Sequence, residues 1–116
     1  MVNKGSCLFQ NQYLEKGDFL TSPNNRYTLN LQDDGNLVLY DLNLDQKAIW
    51  VSHTYNMTVS RAVMQSDGNF VIYGYPDPLW ATNTYNHEDA FIVLQDDGSL
   101  VVYGTTPIWT SIIEDK

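Results

Sequence analysis

Apolar and polar residues alternate in short runs along this chain, and the runs come in threes. Leu29, Leu31, Leu37 and Leu39 occupy alternate positions on either side of Asp34-Gly35. Ala62, Met64, Phe70 and Ile72 flank Asp67-Gly68 in the same way, and Ile92, Leu94, Leu100 and Val102 flank Asp97-Gly98. A period of two places each set on one face of a strand pair. Asp-Gly between two such runs signals a hairpin, because glycine takes a positive φ without steric cost. No segment sustains a helical period, and Gly, Pro, Asn and Asp punctuate the chain throughout.

A second element follows each hairpin: Ala48-Ile49-Trp50-Val51-Ser52, Pro78-Leu79-Trp80-Ala81-Thr82 and Pro107-Ile108-Trp109-Thr110-Ser111, which hold the chain's three Trp. The pattern predicts an all-β protein of three internal repeats: strand, Asp-Gly turn, strand, loop, short Trp strand. The repeats cover about 25–54, 55–85 and 86–113, within one domain of 116 residues. Residues 8–22 are predicted as an additional strand pair that closes the assembly, and Ser22-Pro23-Asn24-Asn25 as a turn. The apolar faces form the core. Trp50, Trp80 and Trp109 are expected to join it and to meet near a threefold axis, as packing groups rather than ligand-stacking ones.

Charge narrows the function. Fourteen acidic residues against six basic ones give a net charge of −8, with no run of Lys or Arg. Neutralising phosphates needs clustered cations, so nucleic acid and anionic membrane surfaces are excluded as partners. The single cysteine, Cys7, forbids an intrachain disulfide and reads as a small hydrophobe. No apolar stretch is long enough to cross a bilayer. Met1 to Ser6 is polar and lacks the apolar core of a signal peptide. The expectation is an extracellular protein exported by a route the sequence does not show, with the cytoplasm as the alternative. Asn56-Met57-Thr58 is a glycosylation sequon, meaningful only in the secretory pathway.

The candidate chemistry lies on the outward face of each hairpin. Gln32, Asp34, Asn36, Val38 and Tyr40 bring a carboxylate, amides, a phenol and a small apolar patch to one shallow surface. Gln65, Asp67, Asn69, Val71 and Tyr73 do the same, and so do Gln95, Asp97, Ser99, Val101 and Tyr103 with Ser in place of Asn. A neutral hexose offers adjacent hydroxyls, each donor and acceptor, and one weakly apolar ring face. These residue types match that set. Turn chemistry explains Asp and Gly, and burial explains the inward residues. Neither explains outward Gln, Val and Tyr at fixed offsets in every copy.

The same faces argue against an enzyme. Each offers one outward carboxylate, whereas glycoside hydrolysis wants two facing ones. Asp33 and Asp96 are expected to point elsewhere or lie in the turn. His53 and His87 read as loop residues without partners at metal-ligand spacing. Asp-x-Asp-Gly hints at a calcium loop, but the terminal bidentate Glu is missing. No catalytic residue, metal or cofactor is expected. An interaction domain whose sites no longer take sugar is the competing reading.

The triple Gln-x-Asp-x-Asn-x-Val-x-Tyr pattern resembles the bulb-type (monocot) mannose-binding lectins. It is complete at Gln32–Tyr40 and Gln65–Tyr73 and altered at Ser99. Leu79-Trp80-Ala81-Thr82-Asn83-Thr84 and Gly17-Asp18-Phe19-Leu20-Thr21-Ser22 also look like the family's strands. The resemblance implies a β-prism II fold, three four-stranded antiparallel sheets about a pseudo-threefold axis, and metal-free recognition of mannose-containing glycans or glycoproteins. It implies that Asp34 and Asn36 hold the axial 2-hydroxyl, Gln32 the 3-hydroxyl and Tyr40 the 4-hydroxyl, with Val38 against the ring carbons. Asp67, Asn69, Gln65, Tyr73 and Val71 take the same roles. Without a disulfide, the chain looks closer to non-plant members such as fish skin-mucus lectins. Ser99 lacks the amide donor, so the third site is expected to be weaker by roughly 1 kcal/mol. Shallow sites bind usefully only together, in agglutination or defence. A homodimer by exchange of the C-terminal strand, Trp109 to Ile113, is expected.

Overall fold

Each Asp-Gly run closes a hairpin. The computed structural model describes residues 2–112. Three short strands come first: β1 (Cys7–Leu8), β2 (Tyr13–Glu15) and β3 (Phe19–Thr21). Repeat one holds β4 (Tyr27–Leu31), β5 (Leu37–Asp41), a single 3-10 turn at Leu42–Leu44, and β6 (Lys47–Val51). Repeat two holds β7 (Arg61–Met64), β8 (Phe70–Tyr73) and β9 (Pro78–Ala81). Repeat three holds β10 (Phe91–Leu94), β11 (Leu100–Tyr103) and β12 (Pro107–Thr110).

The strands form three four-stranded sheets, in the orders β3-β4-β5-β6, β2-β7-β8-β9 and β1-β10-β11-β12. All their pairings are antiparallel. The expectation of a closing strand pair in 8–22 is corrected here. The segment makes three strands that pair with the repeats and not with each other, one for each sheet. Leu8, Leu14 and Leu20 project from them into the core at 2%, 0% and 0% exposure. Each repeat brings three strands and a half-open apolar face, so each needs one more strand to cover its edge.

The twelve inward residues predicted from the alternation are all fully buried. Apart from Ala62, side chains of this kind stabilise by about 1.5–3 kcal/mol each when taken from water. Trp50, Trp80 and Trp109 stand opposite Leu39, Ile72 and Val102 across the last strand pairs. They meet edge to face at centroid distances of 5.5, 5.7 and 5.7 Å. Edge-to-face contact sets the positive rim of one ring on the negative face of the next, and a closed ring of three satisfies every member.

The hairpin turns are wider than two residues. The Gln32 amide donates to Asn36 O and the Gly35 amide to Gln32 O, both at 2.9 Å. Asp33, Asp34 and Gly35 therefore form the loop, with Gly35 at φ +92° as the bulge residue. Gly35 and Gly68 also permit close approach. A Cβ at Gly35 would lie 2.4 Å from Met57 O, and one at Gly68 2.3 Å from His87 O. In both repeats the following loop is packed down onto the turn. At the third turn the covering group is different: Tyr27 lies against Gly98, and the Asn24 amide donates to Asp96 Oδ1 at 2.8 Å. The predicted turn around Pro23 thus closes the ring from repeat three back to repeat one.

Candidate functional site

The motif residues of each hairpin converge on the outer face of its sheet. A bulge recurs beside each motif tyrosine, between Leu39 and Tyr40, Ile72 and Tyr73, and Val102 and Tyr103. Bulges bend a strand locally and re-aim side chains. In the first two hairpins the tyrosine hydroxyl accepts a short hydrogen bond from the glutamine: Gln32 Nε2 to Tyr40, and Gln65 Nε2 to Tyr73. The phenolic proton is then free to donate outward.

Asparagine is oriented from behind. Asn36 Oδ1 accepts from Ser52 Oγ and from the Thr54 amide, each at 3.2 Å. Ser52 and Thr54 hydroxyls lie 2.8 Å apart, and Thr54 donates to Gly35 O at 2.6 Å. Repeat two copies this arrangement: Asn69 Oδ1 accepts from Thr82 Oγ1 and the Thr84 amide, and Thr84 donates to Gly68 O. With its oxygen fixed inward, the amide presents N–H groups outward. The aspartates are placed by the turn: the backbone N–H groups of Asn36 and Asn69 donate to Asp34 Oδ1 and Asp67 Oδ1 at 2.9 Å. Each complete hairpin therefore offers two acceptors, carboxylate and Gln Oε1, and two donors, the Asn amide and the Tyr hydroxyl. That set matches vicinal hydroxyls, each of which both donates and accepts.

Two open clefts run from these groups along the first strand of each hairpin. The cleft at the first hairpin is about 630 Å³ and includes Gln32, Asp34, Tyr40, Thr28 and Asn30 in its lining. The cleft at the second is about 550 Å³ and includes Gln65, Asp67, Tyr73, Arg61 and Val63.

The structure departs from the sequence reading at one point. Val38, Val71 and Val101 face outward but are only 3%, 2% and 4% exposed. Each sits on an inner strand, hemmed by cross-strand neighbours on both sides: Asn30 and Val51 flank Val38. They are a buried floor and not an open apolar patch. Asp33 lies in the turn, one of the two expected placements, and there lines the first cleft beside Asp34. The strand ends at Leu31, so the alternation that would turn Asp33 away has already lapsed. Asp96 is tied to Asn24.

The third hairpin is closed on itself. Ser99 is buried, and its hydroxyl lies 2.5 Å from Asp97 Oδ1 and 2.8 Å from Gln95 Oε1. One proton is shared between two acceptors whose counterparts in the other hairpins take no side-chain donor. The Ser99 hydroxyl, and then its amide, hold Asp97 below the usual carboxylate range. Gln95 Nε2 still donates to Tyr103, at 2.5 Å.

His53 and His87 lie in exposed loops. His87 Nδ1 sits 2.9 Å from Thr84 O, so that nitrogen carries the proton. Among the described residues no cluster of three His, Cys, Asp or Glu groups could hold a metal. Cys7 is half-buried on β1, opposite Val93. Sequence reasoning missed the Ser52–Thr54 and Thr82–Thr84 pairs that orient the asparagines. Their recurrence after each of the first two Trp strands is the signal that could have found them.

Comparison with known proteins places this arrangement. No protein-family model matches the chain. A mannose-specific lectin from Narcissus tazetta is 42% identical over 69 residues, 59% of this chain and 46% of that protein. The B-type lectin plumieribetin from Scorpaena plumieri is 39% identical over 66 residues, 57% of this chain and 55% of that protein. The matched stretch spans about half the length of these curated relatives. Over the whole fold, the snowdrop (Galanthus nivalis) mannose-specific agglutinin, solved with methyl-α-D-mannoside, is 33% identical at a TM-score of 0.76, covering 96% of this chain and 99% of that one. A domain-swapped lectin dimer from Mycobacterium smegmatis is 47% identical at a TM-score of 0.55, covering 89% of this chain and 95% of that one.

Three antiparallel sheets set as the faces of a prism, each bearing one polar hairpin, define the β-prism II class of fold. The chain belongs to the bulb-type mannose-binding lectin family.

Proposed function

We propose that this chain binds mannose and mannose-rich glycans without metal or enzymatic activity, through the Gln32–Tyr40 and Gln65–Tyr73 hairpins, with a weaker third site at Gln95–Tyr103. One observation carries the reading: the two-donor, two-acceptor set recurs in two hairpins, with its asparagine held in one orientation from behind. An axial 2-hydroxyl engages the Asp–Asn pair, and an epimer that fails to reach it leaves both groups unpaired. The snowdrop relative solved with a mannoside supports this choice of sugar. Several shallow sites on one molecule suit agglutination of branched glycans, outside the cell.

Isothermal titration with methyl mannoside tests the reading. Two sites should titrate more tightly and the third more weakly, unaffected by chelator, with methyl galactoside giving no heat. Asp34→Ala and Asp67→Ala should each remove one site, since losing a bond to a charged group costs about 1.5–3 kcal/mol. Binding unchanged in both variants would overturn it.

Dimerisation by strand exchange belongs to the same proposal. Here β12 pairs with β11 of its own chain, and Ile113, within the expected exchanging segment, lies outside the described residues. A second copy could supply an identical strand to the same ladder. The domain-swapped mycobacterial relative supports the idea. Light scattering showing a monomer at every accessible concentration would exclude it.

A further inference from the structure

The position opposite each motif tyrosine differs between the three sheets. Thr28 pairs with Tyr40, Arg61 with Tyr73, and Phe91 with Tyr103. Directly paired residues share a face, so these three stand on the outer face at the tyrosine end of each hairpin. In the second cleft, Arg61 lines the same wall as Gln65, Asp67 and Tyr73.

Arg61 is unusual among this chain's cations. The chain has six Lys and Arg against fourteen acidic residues. Arg26 is held by Asp41 through two bonds of 3.0 Å, and Lys4 lies 3.9 Å from Asp18. Arg61, Lys16 and Lys47 make no ion pair with the described residues, and of these three Arg61 alone lines one of the two clefts. Glu15 is its cross-strand partner on β2, yet forms no bridge with it and does not line the cleft. Instead its guanidinium carbon lies 5.0 Å from the centroid of the Tyr13 ring, which Lys4 Nζ also approaches, at 5.4 Å. A cation–π contact leaves the N–H edge of a guanidinium available. That edge is the fork that fits a phosphate or carboxylate in bidentate fashion.

We propose that the second cleft takes a hexose bearing an anionic substituent, a phosphate or carboxylate, with Arg61 as the group that reads the charge. The inference rests on the sugar-binding reading of the Gln65–Tyr73 hairpin. Arg61 and Gln65 stand four residues apart on one wall, roughly 13 Å at strand spacing. The anion therefore belongs on a substituent beyond the ring that the hairpin grips. Asp67 lies at the turn end, away from Arg61, so its charge faces the neutral part of the ligand. The first cleft has Thr28 at the matching position and serves as the internal comparison.

Protein-observed NMR titrations test this with four probes: methyl mannoside, mannose 6-phosphate, mannose 1-phosphate and inorganic phosphate. One of the sugar phosphates should bind the second cleft at least about tenfold more tightly than methyl mannoside, the ratio a single charge-assisted pair gives. The first cleft should show no such preference. Arg61→Gln should bring that ratio to about one, and Glu15→Gln should raise it by relieving repulsion. Thr28→Arg should confer the preference on the first cleft, which a purely structural role for Arg61 would not predict. A ratio near one in the wild type, with methyl mannoside bound, overturns the role of Arg61 alone. No binding of any sugar overturns the sugar-binding reading and this inference with it. Inorganic phosphate bound as tightly as the sugar phosphates would show an anion site unconnected with the sugar, and also overturns it.

Discussion

A single side chain decides whether a hairpin is open or closed. Asn36 and Asn69 turn their amides outward because the following loop holds their oxygens. Ser99, with a hydroxyl in place of the amide, turns back on Asp97 and Gln95. Ser99→Ala should free both acceptors and raise the Asp97 pKa toward the ordinary carboxylate value, read by NMR titration. The bond's stabilising effect is present above the unfolded-state pKa of about 3.9 and disappears as pH falls through the depressed folded value. Wild type and Ser99→Ala should therefore differ in stability at pH 7 and converge in strong acid. The turn glycines make a second case. Gly68→Ala combines a φ of +95° with a Cβ 2.3 Å from His87 O, so a loss of about 1–3 kcal/mol in chemical denaturation is expected. The motif residues were legible because they recur at fixed offsets. Their supports were not, because Thr54 acts on a residue 18 positions earlier, and no local pattern announces such a bond.

Among the elements, the hairpins were legible and the edge strands were not. Alternation over four or five residues fixes a face, and all twelve inward residues followed it. A strand of two or three residues is too short to show a period. β1, β2 and β3 are marked only by Leu8, Leu14 and Leu20, six residues apart, each needed to cover one sheet. Leu14→Ala should cost about 2–5 kcal/mol, as a buried cavity-forming change does, although β2 has only three residues. The outer end of the first hairpin is held by Arg26 and Asp41. The Arg26 bonds keep the Asp41 carboxyl below its usual range and raise the arginine. Asp41→Asn should lower the Tm at pH 7. The gap should narrow as the pH drops through the depressed Asp41 pKa, since protonation then removes the same charge in the wild type.

For the whole molecule, threefold likeness in the backbone carries threefold difference in the sites. The Trp ring at the axis is close to symmetric, with its three contacts within 0.2 Å of one another. The outer faces are polar and neutral at Thr28, cationic at Arg61 and aromatic at Phe91. Phe91 stacks between Phe9 and Tyr103, at 5.4 and 5.8 Å. A shared core fixes where the sites lie and leaves their flanks free to differ. Prism geometry followed from the resemblance, whereas the division of labour among the faces needed the register.

The leading segment gives the fold an order in time. β1 leaves the ribosome ahead of the other eleven strands, but its partner β10 lies in the last repeat. Until that repeat is made, Leu8 has no sheet to cover and the third face has no edge strand. The earliest of the twelve strands is thus among the last to dock. A chain interrupted after its second repeat should be captured by chaperones rather than wait as a two-sided lectin.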